Sequence, residues 1–182
     1  NIKHLVIDEM QDYSYLQYLI LRQMFNCRMT ILGDRAQTME DRTHDVLEFL
    51  PGIFGKNIRK IILNKSYRNT VEIAEYANRT AGIRDMEIFQ RHGKAVEEKE
   101  FSGIEEAVRE IRKNLDLGQS GYETGALLAM SEAEAVEIYK HLKEMEIPVT
   151  YMDRNSSSFK KGLTVTTFYL AKGLEFDQVF VL

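Results

Sequence analysis

The sequence predicts an α/β protein built on parallel strands, and three observations carry that prediction. Short apolar runs alternate with segments of helical period along nearly all 182 residues. Leu5-Val6-Ile7 and Ala126 to Met130 are unbroken apolar runs, the pattern of strands covered on both sheet faces. Capping pairs, Ser14 with Gln17 and Ser131 with Glu134, mark helix starts directly after such runs. A strand, a helix and a second strand in succession make a crossover, so neighbouring strands should run parallel.

Taken in order, the first strand is Leu5 to Ile7, and a helix follows from about Tyr15 to Phe25, with Leu16, Leu19, Ile20 and Met24 on one apolar face. Met29 to Leu32, closed by Gly33-Asp34, reads as a second strand. A short helix near Val46 to Leu50 is expected to stop at Pro51-Gly52, and Arg59 to Leu63 is the next predicted strand. Asn69 and Glu72 predict a capped helix with Ile73, Ala74 and Ala77 turned inward. The charged stretch from Arg84 to Lys99 predicts a surface excursion with an edge strand near Ala95 to Phe101. Ser102 and Glu105 open a helix whose apolar face is Ile104, Ala107, Val108, Ile111 and Leu115. Strand Ala126 to Met130 leads to a helix carrying Val136, Tyr139 and Leu142, then strands at Val149 to Met152, Leu163 to Phe168 and Val179 to Leu182.

Composition narrows the function classes. A hydrophobic content of 44% is enough for a core, and no apolar run approaches the length of a membrane span. The net charge of −4 gives no global attraction to nucleic acid or membrane, so contact with a phosphate backbone would need a local basic patch. Lys56, Arg59, Lys60 and Lys65 form one candidate; they read equally as ordinary solvated charges. The single Cys27 excludes an internal disulfide framework and suits a reducing cytoplasm. Asn1 opens almost directly on a strand and Val179 to Leu182 stops without a turn, so the expectation is a piece cut from something longer. Such a piece would expose apolar surface and should dimerise or swap its first 50 or so residues.

The chemistry is concentrated at Asp8 to Asp12, where three acids arrive within five residues behind a buried strand. A strand ending in Asp8-Glu9 delivers two carboxylates to the carboxyl edge of the sheet, where open α/β folds bind ligands. One of them can hold Mg²⁺ while its neighbour polarises a nucleophilic water; alternatively both sit in a solvated turn.

Four signatures then occur in order: DEMQD at Asp8 to Asp12, GDRAQ at Gly33 to Gln37, KSYRN at Lys65 to Asn69, and TTFYLAKGLEFDQVFV at Thr166 to Val181. Together they resemble motifs II, III, IV and V of superfamily 1 helicases of the UvrD/Rep type, and DEMQDYS with GDRAQT is most similar to the HelD branch. The resemblance implies a RecA-like P-loop NTPase fold, with residues 1–57 as the C-terminal part of a first lobe and 58–182 as a truncated second lobe. It implies ATP and Mg²⁺ as cofactors, bound between lobes in the intact protein.

By the same resemblance, Asp8 is the Mg²⁺-linked carboxylate and Glu9 the base that orients the attacking water. Gln37 is implied as the γ-phosphate sensor, or is a solvated loop glutamine. Arg68 is implied as an arginine finger, a permanent planar charge suited to a developing phosphoryl charge. Tyr67 lies against the nucleotide base in the family, or is a core tyrosine here. Gly173 would permit a turn and Glu175 would lie near the nucleotide sugar. Thr166 and Thr167 match positions beside the nucleic-acid strand, or are simply β-branched strand residues.

No G-x-x-x-x-G-K-S/T occurs in the sequence, so the phosphate-cradling loop is missing and this chain alone is expected to be inactive. Two functions share every residue named. One is an ATP-driven DNA helicase or translocase on single-stranded DNA, placed in the cytoplasm. The other is a HelD-type ATPase that binds and recycles RNA polymerase.

Overall fold

The computed structural model describes residues 2–34, 46–55, 57–83, 86–118, 121–156 and 160–182. The chain forms two compact units, one up to Glu97 and one from Glu98. The boundary expected after residue 57 falls inside the first unit, which contains two separate two-stranded ladders.

In the first unit, β1 (His4–Ile7) pairs in parallel with β2 (Arg28–Ile31) from His4↔Arg28 to Ile7↔Ile31. Helix α1 (Tyr15–Met24) makes the crossover. Its capping box forms as the sequence predicts: Ser14 N–H donates to Gln17 Oε1 at 2.6 Å, and Gln17 N–H to Ser14 Oγ at 3.4 Å. The buried face is different from the expected one. Tyr18 is the fully buried residue of α1, whereas Leu16, Ile20 and Met24 are exposed. Tyr18 packs against Tyr13 and against Phe49 and Phe54 of α2 (Val46–Phe54), with ring centroids 5.6 to 6.2 Å apart. Its hydroxyl donates to Met10 O at 3.0 Å, so a buried polar tip is satisfied and the aromatic area is gained. Burial pushes the phenol pKa well up. Pro51 does not stop α2 but lies inside it; the helix ends at Gly55, whose φ of +88° is the left-handed conformation that closes a helix.

The second ladder pairs β3 (Lys65–Ser66) with β4 (Glu87–Ile88), again parallel, across α3 (Val71–Ala81). The strand expected at Arg59 to Leu63 is corrected. Residues 59–63 form no strand, and Ile61, Ile62 and Leu63 are exposed. A β-branched run has the propensity, but a strand needs a partner, and β4 offers register only to Lys65 and Ser66. No edge strand forms at 95–101, since the pairing partner lies earlier in the chain, at β4. Thr70, not Asn69, precedes α3 as its N-cap, and of the three residues expected to face inward only Ala74 is buried.

The second unit holds a four-stranded all-parallel sheet in the order β6 (Val149–Tyr151), β7 (Gly162–Thr167), β5 (Thr124–Ala129), β8 (Gln178–Val181). Leu127 and Ala129 of β5 face a core with α4 (Ile104–Asn114) and α5 (Glu132–Glu144), built on Val108, Ile111, Ile138 and Leu142. Ala126 and Leu128 point the other way, onto Ala171, Phe168 and Phe176. This two-sided covering is why the run in β5 is unbroken. Ser131 and Glu134 make the predicted capping box of α5. The cap of α4 is shifted by one residue: Ser102 donates through N–H and Oγ to Glu106, while Glu105 pairs with Arg109 one turn on. Strand β7 ends at Thr167, which caps the short α6 (Phe168–Ala171).

Candidate active site

The two acids at the end of β1 are displayed by a break in the ladder. Leu32 N–H donates to Ile7 O and Met10 N–H donates to Leu32 O, both at 2.8 Å. In an undistorted parallel ladder the second bond would come from Glu9. It comes instead from Met10, so one extra residue is inserted and Asp8-Glu9 bulges out of the pairing. Glu9 takes up the distortion with φ 52° and ψ 50°, a left-handed conformation that costs a side chain on the order of 1 kcal/mol. Asp8 Oδ1 accepts the Glu9 N–H at 2.8 Å, which supports the turn from inside. Asp8 is exposed and Glu9 half-buried.

Behind the bulge, a 3₁₀ turn at Met10–Asp12 places Gln11 in the interior. Gln11 Nε2 donates to Glu9 Oε2 at 2.6 Å, and Gln11 Oε1 accepts the Asp34 N–H at 3.1 Å. Gly33 lets the two strand ends meet: a Cβ there would lie 2.4 Å from Met10 Cγ and 2.5 Å from Gln11 Oε1. The carboxyl ends of β1 and β2 therefore lie at the same end of one ladder, with the Asp34 backbone linked to Glu9 through Gln11. The sequence reading assigns Gln11 no role; the available signal was an uncharged amide set among acids, able to donate to one neighbour and accept from another.

Gln37 lies outside the described residues, as does Lys56 of the basic cluster. Tyr67 and Arg68 follow β3. Tyr67 is exposed, which rules out a core role; it lies against Phe89 with centroids 5.8 Å apart, and Lys65 Nζ sits 5.6 Å from its ring centre. Lys65 is itself paired with Glu87 at 2.8 Å, which raises its pKa and removes it from a free basic patch. Arg68 is exposed on a bend, and its carbonyl accepts from the Arg91 guanidinium. Arg91 O in turn accepts the Val71 N–H at 2.8 Å, and Glu72 accepts from His92 Nδ1 at 3.0 Å and Gly93 N–H at 2.9 Å. Residues 91–93 thus strap the start of α3 beside the arginine. Hydrogen bonds from its own backbone N–H, His92 and Gly93 hold the Glu72 carboxyl down at about 2.

In the second unit, Thr166 is fully buried and its hydroxyl donates to Met152 O at 2.9 Å. That fits the reading as a strand residue rather than a phosphate contact. Thr167 Oγ1 accepts the Leu170 N–H as the cap of α6. Gly173 has φ +80° with open space around it, so the turn it makes favours glycine for its backbone alone. Glu175, two residues on, is exposed.

Among the described residues no three His, Cys, Asp or Glu side chains gather as a metal site, and no helix is long and apolar enough to cross a membrane. Mg²⁺ does not require such a cage. It keeps several waters, takes one or two carboxylates and completes its shell with substrate phosphates, so the exposed Asp8 carboxylate is a suitable protein ligand.

No family model matches the chain. Among curated proteins it is similar to the ATP-dependent DNA helicase Rep of Buchnera aphidicola subsp. Baizongia pistaciae (strain Bp), with 26% identity over 171 residues. The match takes in 81% of this chain and 24% of that protein, so the chain spans about a quarter of the length of this relative. The similarity is to a DNA helicase at low identity, and the parallel α/β architecture is consistent with a RecA-like lobe.

Proposed function

We propose that this chain is part of the ATP-driven motor of a superfamily 1 DNA helicase, coupling ATP hydrolysis to movement along single-stranded DNA. The observation that carries the reading is the bulge after Ile7, which brings Asp8 and Glu9 out of the ladder at its carboxyl edge. Asp8 would hold Mg²⁺, which neutralises phosphate charge when Mg²⁺-ATP is bound. Glu9 accepts a proton from the attacking water and orients it in line with the γ-phosphate. Gln37 reports the state of the γ-phosphate. Arg68 supplies a fixed positive charge to the transferring phosphoryl group, on a loop braced by Arg91. Tyr67, Gly173 and Glu175 belong to the base and sugar side of the nucleotide. Thr167 remains a candidate for the nucleic-acid track. The lobe assignment, residues 1–57 to the first and 58–182 to the second, is part of this proposal.

The wording DEMQDYS followed by GDRAQT favours a second reading, a HelD-type ATPase that binds and recycles RNA polymerase. The two are separated in the full-length protein. The helicase reading expects ATP hydrolysis stimulated many-fold by single-stranded DNA and no stable complex with RNA polymerase. A stoichiometric polymerase complex, with hydrolysis indifferent to single-stranded DNA, would replace it by the second.

A further inference from the structure

We infer that Gln11 is a positioning residue for the hydrolytic step, fixing the Glu9 carboxylate and tying it to the strand end at Asp34. The inference rests on the reading of Glu9 as the base that orients water. The assignment of the Gln11 amide follows from its surroundings. Asp34 N–H can only donate, so the acceptor Oε1 must face it; Nε2 is then turned to Glu9, where a carboxylate needs a donor. At 2.6 Å from a carboxylate oxygen, the Nε2 bond is a strong charge-assisted one.

Three features make this a built arrangement. Gln11 is buried, so its amide has little water to exchange partners with. Met10, the residue before it, is held through its backbone, which donates to Leu32 O and accepts from Tyr13 N–H and the Tyr18 hydroxyl. Gly33 leaves the space that the Gln11 Oε1 occupies, and any side chain there would displace it. Glu9 sits on a left-handed backbone and is half-buried, so the bond from the buried Gln11 amide restrains a carboxylate that borders solvent. The amide therefore restrains the rotation of Glu9 and links it to Gly33-Asp34, where the GDRAQ segment opens. A base held in this way is aligned before nucleotide arrives, and alignment is where much of the rate resides.

The test uses the full-length protein with two variants. Gln11→Met removes donor and acceptor at similar volume; Gln11→Glu keeps an acceptor for Asp34 N–H but removes the donor to Glu9. Both should lower kcat for ATP by about 10- to 100-fold, with the Kd for a non-hydrolysable ATP analogue unchanged. Read by NMR, exchange of the Asp34 amide should quicken in Gln11→Met and stay near wild type in Gln11→Glu. Wild-type kcat in either variant overturns the inference. So does parallel loss of turnover, analogue binding and thermal midpoint in both, which would make Gln11 a support of the fold alone. An Asp34 amide unaffected by Gln11→Met would show that the link is not made. If Glu9→Gln leaves turnover intact, it is the reading of Glu9 that fails, and this role falls with it even where the Asp34 exchange behaves as expected.

Discussion

Gly33 and Met10 meet at the top of the first ladder with no room for a side chain: a Cβ at position 33 would stand 2.4 Å from Met10 Cγ and 2.7 Å from Met10 N. Gly33→Ala should therefore push the two strand ends apart and destabilise the chain by about 1–3 kcal/mol, as overpacking does. Gly52 is the internal control. It lies inside α2, and a Cβ added there would meet nothing within 4 Å, so Gly52→Ala should stabilise by about 0.5–1 kcal/mol. Urea denaturation of the two variants beside wild type reads both signs; equal midpoints would contradict the close approach.

Leu16, Ile20 and Met24 stand four residues apart along α1 and are 64%, 46% and 67% exposed. Spaced in this way they form one apolar stripe on a single helix face. The chain should self-associate through it as concentration rises. Sedimentation of wild type is expected to show a concentration-dependent shift that Ile20→Lys weakens. A monomer at millimolar concentration would mean that the stripe is innocuous.

The strap beside Arg68 makes stability depend on pH. The folded-state pKa of Glu72 is depressed to about 2 from an ordinary 4.5, so its contribution to stability is fully present above the unfolded value and is lost as pH falls toward 2. Between those values the folded chain keeps Glu72 ionised where an unfolded one would protonate it. NMR titration of the Glu72 carboxyl should give a midpoint near 2, and His92→Ala should move it upward. A midpoint at the ordinary value would show that the His92 and Gly93 contacts are not kept in solution.

The crossovers were legible in the sequence because their signals are local. Ser14 and Gln17 reach each other within one turn, and the capping box is the same in sequence and in space. The two-sided covering of β5 was readable from an unbroken apolar run, but the same signal misled at β1, where Val6 is 60% exposed. What the sequence concealed depends on distant partners. Tyr18 rather than the Leu16 stripe is buried because Phe49 and Phe54 arrive from α2 to receive it. Residues 59–63 have strand propensity, but the ladder in this part of the chain reaches only Lys65 and Ser66. At the site, the acids themselves were evident, whereas the bulge that displays them is created by Leu32, over twenty residues on. Gln11 was signalled in the sequence only as an amide among acids, and its link between Glu9 and Asp34 depends on a partner over twenty residues away; Gln37 lies outside the described residues.

Glu9, on the proposed reading, orients the water that attacks ATP. This chain alone, lacking G-x-x-x-x-G-K-S/T, should release phosphate at background with or without single-stranded DNA, because the cradle that binds and aligns a triphosphate is absent from its sequence. The decisive measurement is steady-state ATP turnover together with ATP binding in the full-length protein carrying Glu9→Gln. Turnover is expected to fall to background with ATP affinity largely intact. Wild-type turnover in Glu9→Gln would exclude Glu9 as the residue that orients the water.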